Sequence, residues 1–533
     1  MWLFVPLVAC GGLLFGFDTG VVSGALVKIT EDLNLSSTEQ ELVVSLTVAG
    51  AVVGAALGSF VADTFGRRPV ILVSSTVFTG GAFAMGMAPS LAVLLAGRAI
   101  VGVGIGLASM VVPLYLAEVA PKRHRGMLVT LNVVFITGGQ VLASVVAGGF
   151  ADVHEGWRWM LGLSGVPSGV QLVGFLFMPE SPRWLVMKQR PEEAMSVLRR
   201  TRGAPVPTTV PTDEEDAFEA GLRQELFDMR QAVQEGAEQL TVVQLLGDAS
   251  LRRSLTVGAA LQAVQQFAGI NLVMYYSGSL LRAAGFAPSA AIWLAAAVAA
   301  VNFVFSIAGM ALVDRMGRRP LTLWSLGAVL LALGFLGGVF YVRGRNHASA
   351  TCVPYHAPGV LLKSTATLVD CQAYDLCVDC VADSGCGFWG DATTGICLPG
   401  NSTGPRVPVS PSHSATWNMD TCQGMSTWSA LSVVGLMLYL VCFAPGMGNM
   451  PWTINAEIYP QHARAAGNSI TAMVNWVCNF IVSMTFLGLQ KTITPYGTFW
   501  MYGGVAALGW LFFYRRLPET KGVGLEDTAA LFH

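Results

Sequence analysis

Asp18 sits close to the middle of LVACGGLLFGFDTGVVSGALV, residues 7–27, where everything apart from small residues and Thr19 is apolar. A carboxylate at membrane depth costs roughly 2.5–3.5 kcal/mol on insertion scales, so one that persists there is functional by default. A matching cation lies in AGRAIVGVGIGLAS, where Arg98 begins a face that continues through Gly102 and Gly106 at i, i+4, i+8. Small residues on such a face let a second helix pack close. The helix of Arg98 is therefore expected to cross the helix of Asp18 and bring the two charges together. A nearby cation favours the ionised carboxyl, whereas low-dielectric burial favours the neutral acid. An acid poised between those effects can load and release a proton. The plainer reading is a permanent ion pair that only holds two helices.

A second set of side chains suits a neutral, hydroxyl-rich ligand. Asn and Gln each carry a donor and an acceptor and so match hydroxyls of either polarity. Gln262, Gln265, Gln266 and Asn271 surround Gly269 within one apolar stretch, followed by Tyr275 and Tyr276. Four amides in one span are costly unless they face a wet cavity, and Gly269 is placed to break the helix as in the discontinuous helices of transporter sites. Gln140, Asn302, Asn475 and Asn479 recur singly in other apolar stretches, with Trp452 and Trp476 as stacking partners for a ring. The bland alternative is interhelical hydrogen bonding for the amides and packing or interface anchoring for the tryptophans. Gly446, Gly448 and Pro451 mark a segment able to move.

The elements that must position these groups are membrane helices. The 533 residues are 53% hydrophobic and only 12% charged, against about 25% charged in a soluble domain. Mean hydropathy is +0.57. A formal net charge of −2 supplies no basic field for nucleic acid. Runs of about 20 apolar residues are needed to cross the hydrocarbon. Twelve occur, at 2–24, 41–62, 69–89, 91–116, 126–149, 158–178, 254–276, 290–312, 320–342, 427–449, 465–489 and 497–514. The first lacks the basic leader and small-residue cleavage site of a signal peptide; it begins almost at Met1, and a short cytoplasmic tail is expected to be missing or trimmed. Lys and Arg gather after even-numbered runs, at Arg67/Arg68, Lys122/Arg123/Arg125, Arg183–Arg253, Arg315/Arg318/Arg319, Arg464 and Arg515/Arg516/Lys521. Their placement predicts both termini in the cytoplasm and the 343–426 loop outside or in a lumen.

The chain repeats itself. Asp63-Thr-Phe-Gly-Arg67-Arg68 returns 251 residues later as Asp314-Arg-Met-Gly-Arg318-Arg319. Glu118, with Pro121 and Arg125, returns 339 residues later as Glu457, Pro460 and Arg464, and PESPR at 179–183 matches PETKG at 518–522 with the same offset. The difference enters between 319 and 457, where the cysteine-rich loop lies. The organisation expected is an N-terminal six-helix bundle (1–178), a cytoplasmic linker with short helices (179–253), a C-terminal bundle in two parts (254–342 and 427–517) around an extracellular insertion (343–426), and a tail (518–533). Such repeats place a substrate site near the midplane between the halves. The duplicated Asp63, Arg67, Arg68, Glu118, Arg125 and Asp314, Arg318, Arg319, Glu457, Arg464 are expected to form a cytoplasmic gate network that breaks and re-forms as the halves rock.

Asp63–Arg68, PLYLAEVAPKRHRG, PESPRWL, QQFAGIN, VDRMGRR and LPETKG together resemble the sugar porter branch of the major facilitator superfamily, across nearly the whole chain outside 343–426. FGFDTGVVSGAL, PGMGNMPWTINAEIYP and the cysteine-rich insertion are similar to the proton-coupled myo-inositol transporters of plants and animals. The resemblance implies an all-α polytopic fold with twelve transmembrane helices and a small extracellular module, symport of a polyol with protons, and no cofactor beyond the coupling proton. It implies substrate contact by Gln140, Gln265, Gln266, Asn271, Asn302, Trp452 and Trp476, and proton coupling at Asp18, since proton-driven sugar porters carry Asp there and facilitative ones generally do not. Nothing in the residues chooses inositol over hexose; only the resemblance does.

Seven of the ten cysteines fall in the insertion, at Cys352, Cys371, Cys377, Cys380, Cys386, Cys397 and Cys422. Their density is that of a disulfide-stapled module, and one Cys-x-x-Cys without a second close pair argues against zinc. The spacing, with aromatics after Cys386, is similar to plexin–semaphorin–integrin modules; the pairing stays open, and so does binding of an extracellular partner. Asn401 and Asn34 head glycosylation sequons on the predicted outer side. Cys10, Cys442 and Cys478 read as packing residues. No nucleophile–base cluster, phosphate-binding loop or metal motif in the spans supports an enzyme or an ATP-driven pump. The readings left are proton-coupled import of myo-inositol, the same with hexose, a uniporter, and a sensor with a vestigial transport path. Plasma membrane is favoured, with the vacuolar membrane as the alternative.

Overall fold

The computed structural model describes residues 4–119, 125–202, 213–235, 247–284, 286, 288–347, 427–460 and 463–521, together with 351–352, 371, 380, 386–390, 394–401, 404–405 and 416–418 of the insertion. Helix α1 spans Phe4–Leu33, α2 Ser37–Phe65, α3 Arg67–Gly86, α4 Leu91–Val119 and α5 Arg125–Gly149. The sixth apolar run is two short helices, α6 (Gly156–Gly162) and α7 (Gly165–Leu176). Three helices follow outside the spans: α8 (Pro182–Met187), α9 (Pro191–Arg202) and α10 (Asp213–Glu235). The second half holds α11 (Ala249–Phe267), α12 (Ile270–Ala283), α13 (Pro288–Met316), α14 (Arg318–His347), α15 (Thr427–Phe443), α16 (Met450–Glu457), α17 (Arg464–Ile493) and α18 (Pro495–Arg516). Eleven stretches among the described residues are long and apolar enough to cross a membrane. Helix α18 falls short of that measure because Gly, Tyr, Trp and terminal Arg dilute it, yet it packs as the twelfth: Phe499 lies on Phe340, with ring centroids 5.3 Å apart, and Trp510 donates to the Leu323 carbonyl at 3.1 Å.

The first span differs from its predicted bounds. Its helix continues to Leu33 rather than stopping at 24, because the polar last turns are accommodated: Glu31 pairs with Arg282, and Asp32 accepts from the Trp157 indole at 2.9 Å. The glycine face of α4 also packs differently from expectation. A Cβ at Gly102 or Gly106 would lie 2.1 or 2.3 Å from the carbonyls of Thr47 and Ala51, so these glycines seat α2 rather than α1. Arg98, at the head of that face, reaches both helices. Where α3 and α14 begin, Gly66 and Gly317 turn the chain with φ of 104° and 90°.

Helices α8–α10 form a small apolar cluster of their own, built on Trp184, Leu185, Leu198, Leu222 and Leu226. Arg199 pairs with Glu219 and Arg202 with Glu225, and Arg202 also donates to the Val119 carbonyl at the end of α4. In the insertion, β1 (Thr351–Cys352), β2 (Cys386–Gly390), β3 (Thr394–Asn401), β4 (Gly404–Pro405) and β5 (Thr416–Asn418) make one small sheet in the order β1-β3-β2-β5, with β4 on β3. Strands β2 and β3 are antiparallel with Phe388 opposite Cys397. Disulfides Cys371–Cys386 and Cys380–Cys397 close around buried Phe388. Such staples stabilise a module too small for a large core. Cys377, Cys422 and the side chain of Asn401 lie outside the described residues, as do the side chains of Arg125 and Asp314.

Candidate functional site

Arg98 Nη1 donates to Asp18 Oδ1 at 2.6 Å, and Arg98 Nε donates to the Val43 carbonyl of α2 at 2.8 Å. The acid is 3% and the guanidinium residue 1% exposed. Three helices of one half thus meet at a single guanidinium fork. An ion pair so dry repays its desolvation only with good geometry, and removing one partner strands the other.

Gly269, at φ 93°, breaks the seventh span into α11 and α12. The carbonyl freed beside it, on Ala268, accepts from the Tyr439 hydroxyl at 2.9 Å. Around the break the amides join one another. Asn475 Nδ2 donates to Gln262 Oε1 (2.7 Å) and Gln265 Oε1 (2.9 Å), Gln266 Nε2 donates to Asn475 Oδ1 (3.1 Å), and Asn271 Nδ2 donates to Gln266 Oε1 (2.7 Å). Gln265 Nε2 donates to the Met447 carbonyl at 2.8 Å, in the π-helical turn Ala444–Gly448 of the tenth span. Asn479 Nδ2 donates to the Tyr275 hydroxyl at 3.3 Å, and Asn302 Nδ2 donates to Gln140 Oε1 at 2.9 Å from the opposite half. Trp476 is buried beside the cluster with its ring edge-on to Phe15, centroids 5.4 Å apart. Trp452 is 44% exposed and takes no part in these hydrogen bonds. Gln262 Nε2 and Asn479 Oδ1 are buried without a partner among the described residues. The set offers polar groups and no formal charge, which is what a neutral polyol requires.

At the ends that carry the Gly-Arg-Arg turns, two near-copies of one network appear. Arg67 binds Glu118 through Nε (2.9 Å) and Nη2 (3.0 Å), with Asp63 3.1 Å from its Nη1; Arg318 binds Glu457 at 2.9 Å. Among the described residues, the side chains of Arg68 and Arg319 do not meet carboxylates. They donate instead to the carbonyls of Leu176 and Tyr514, in the last turns of α7 and α18. Arg464 likewise misses Glu457, which Arg318 and Thr520 occupy, and donates to the Tyr459 carbonyl. Burial and the like charge of Arg183 push its guanidinium down from the usual value.

The family profile described as "Sugar (and other) transporter" matches residues 4–356 and 411–532. This chain belongs to that sugar transporter family. The unmatched interval falls inside the cysteine-rich insertion. The human "Proton myo-inositol cotransporter" is 42% identical over 540 residues, covering 98% of this chain and 80% of its own length. "Inositol transporter 4" of Arabidopsis thaliana is 38% identical over 544 residues, covering 98% and 90%. In fold, this sugar transporter matches the E. coli xylose transporter in a partially occluded inward open conformation with a TM-score of 0.70, at 23% identity and 98% coverage of both chains. Its architecture is the major facilitator fold, in a multi-pass membrane protein.

Several residues of this sugar transporter carry roles that the sequence does not announce. Glu180 accepts from the backbone N–H groups of Arg67 and Arg68, and Glu519 from those of Arg318 and Arg319, so each caps the helix that follows a Gly-Arg-Arg turn. Ser181 and Thr520 donate to Glu118 and Glu457, each at 2.6 Å. The shared 339-residue offset of PESPR and PETKG was the available signal. Glu41, buried in α2, had none: it stands alone at the edge of an apolar run and has no counterpart in the repeat.

Proposed function

We propose that this chain is a proton-coupled symporter that imports myo-inositol, or a closely related cyclitol, by alternating access, at the plasma membrane with both termini in the cytoplasm. The observation that carries the reading is a buried carboxylate, Asp18, paired to Arg98 within one half, beside an uncharged amide cluster that spans both halves. The names of the human and plant relatives supply the choice of inositol.

The chemistry is protonation of one group coupled to binding of another. A proton on Asp18 Oδ1 removes the charge that holds the Arg98 Nη1 hydrogen bond. Arg98 then keeps the Val43 carbonyl but loses its link to α1, and the packing of α1 against α4 relaxes. A polyol ring bound by Gln140, Gln265, Gln266, Asn271, Asn302, Asn475 and Asn479 bridges the two halves, with Trp476 and Trp452 against its apolar face. Loading of both favours closure around the substrate and reopening on the other side, where Asp18 releases its proton and recaptures Arg98. The Arg67–Glu118 and Arg318–Glu457 networks act as cytoplasmic gates in this scheme, and Asn34 and Asn401 as glycan acceptors outside. Coupling follows because the ligand binds the two arrangements unequally.

The test is the inward current evoked by myo-inositol in oocytes expressing the chain. Wild type is expected to give a current that grows as external pH falls. Asp18→Asn is expected to lose the current while retaining exchange of labelled inositol. A wild-type current indifferent to external pH, or undiminished accumulation in Asp18→Asn, overturns proton symport.

A further inference from the structure

Glu41 is another buried carboxylate within the membrane spans, and its surroundings differ in kind from those of Asp18. It is 6% exposed, in the second span. Asp18 is held by a cation of its own half. Among the described residues Glu41 has no cation within ion-pair distance, and its hydrogen-bond partner is the backbone N–H of Gly488, 2.8 Å away on α17 of the other half. An isolated buried carboxylate is strongly unfavourable, so this one is satisfied only while the halves touch.

The contact belongs to a seam. Ser45, one turn along α2, donates to the Met484 sulfur at 3.2 Å. The Ser23 and Ser277 hydroxyls meet at 2.7 Å, and Glu31 pairs with Arg282, at the same end of the bundle, the end that bears the turn at Asn34. At the opposite end the ion pairs described above stay within one half. Halves joined across this seam must part along it before a central site can face that side.

We propose that Glu41 is the latch of the α2–α17 seam: a positioning residue that holds the halves together through the Gly488 N–H and passes into water each time the site opens to that side. The proposal rests on the alternating-access reading, but its test needs neither substrate nor proton gradient. A backbone donor suits such a device, since it has no side chain to reorganise. A Cβ at Gly488 would lie 3.8 Å from the carboxylate oxygen, an ordinary contact, so the bond rests on the backbone N–H and not on the absence of a side chain.

The experiment follows maleimide labelling of a Ser45→Cys reporter in the purified full-length protein, with labelling of the unsubstituted chain subtracted. Glu41→Ala in that background is expected to speed labelling about tenfold, as the loss of a hydrogen bond to a charged group would. Glu41→Asp, which keeps the charge but withdraws it from the N–H, is expected to do the same and serves if the alanine variant does not fold. Glu41→Gln, whose amide oxygen can still accept, is expected to stay within about threefold of the parent. Labelling in the aspartate and alanine variants as slow as in the parent, or labelling in the glutamine variant as fast as in the alanine variant, overturns the latch. A failure of inositol transport in the parent would leave these rates informative, so the two readings fail separately.

Discussion

Arg98 carries three obligations with one planar group: a carboxylate on α1, a carbonyl on α2 and its own place on α4. Lysine cannot reproduce that fork. Arg98→Lys is therefore expected to lose most uptake, and Arg98→Ala to lower stability by about 3–5 kcal/mol, the usual range when one member of a buried pair is removed; a fluorescence-monitored melt of the purified protein measures it, and an unchanged melt would refute the assignment. In the pocket, Asn475→Ala removes the hub shared by Gln262, Gln265 and Gln266 and is expected to raise the half-saturating inositol concentration at least tenfold, read from current against concentration. These residues were legible in the sequence because each violates an apolar run. Glu180 and Glu519 violate none, and what they bind is the backbone of a helix more than a hundred residues away in sequence.

Among the elements, the divided seventh span is set by one dihedral. A Cβ added at Gly269 would have no atom within 4 Å, so Gly269→Ala meets no steric clash and tests the positive φ alone. A non-glycine residue in such a conformation costs about 1–3 kcal/mol. The variant is expected to melt earlier and to transport more slowly with its amides intact; wild-type behaviour would mean the break is not held by this residue. The break was anticipated because glycine stood among four amides. The π turn of the tenth span was visible only as a loose Gly and Pro pattern, since its geometry depends on Ser325, whose hydroxyl accepts from the Met447 N–H and donates to the Cys442 carbonyl. At the cap of α3, burial lifts the Glu180 carboxyl above its usual range despite the opposing N–H groups of Ser181, Arg68 and Arg67. A raised carboxyl favours the fold most fully below the ordinary carboxylate range and loses that contribution as pH climbs through the raised value. Melting midpoints of wild type and Glu180→Gln should therefore converge in acid and diverge in favour of the variant toward neutral pH.

For the whole molecule, the repeated motifs announced two halves and the position of the insertion, since each half carries its own copy of the Arg–Glu network. The seam contacts were invisible to that logic. Glu41 with Gly488, and Glu31 with Arg282, pair residues of unrelated local patterns across the two halves. The stapled centre of the insertion, with disulfides Cys371–Cys386 and Cys380–Cys397, sits outside both repeats and outside the residues matched by the family profile. Removing 353–424 and joining the flanks with a flexible linker is expected to preserve inositol uptake, measured against expression; loss of uptake at normal expression would make the module part of the transport path.

The mutual bonding of the pocket amides has a kinetic corollary. Because Asn475, Gln266, Asn271 and Gln265 already bond to one another, with Gln262 Nε2 left open, a ring of hydroxyls arriving at the proposed site mostly trades partners, and each trade is close to an even exchange. Such a ligand is held by shape and by the water it displaces more than by any one polar contact. It can leave as readily as it came, which suits a carrier whose turnover depends on brief residence.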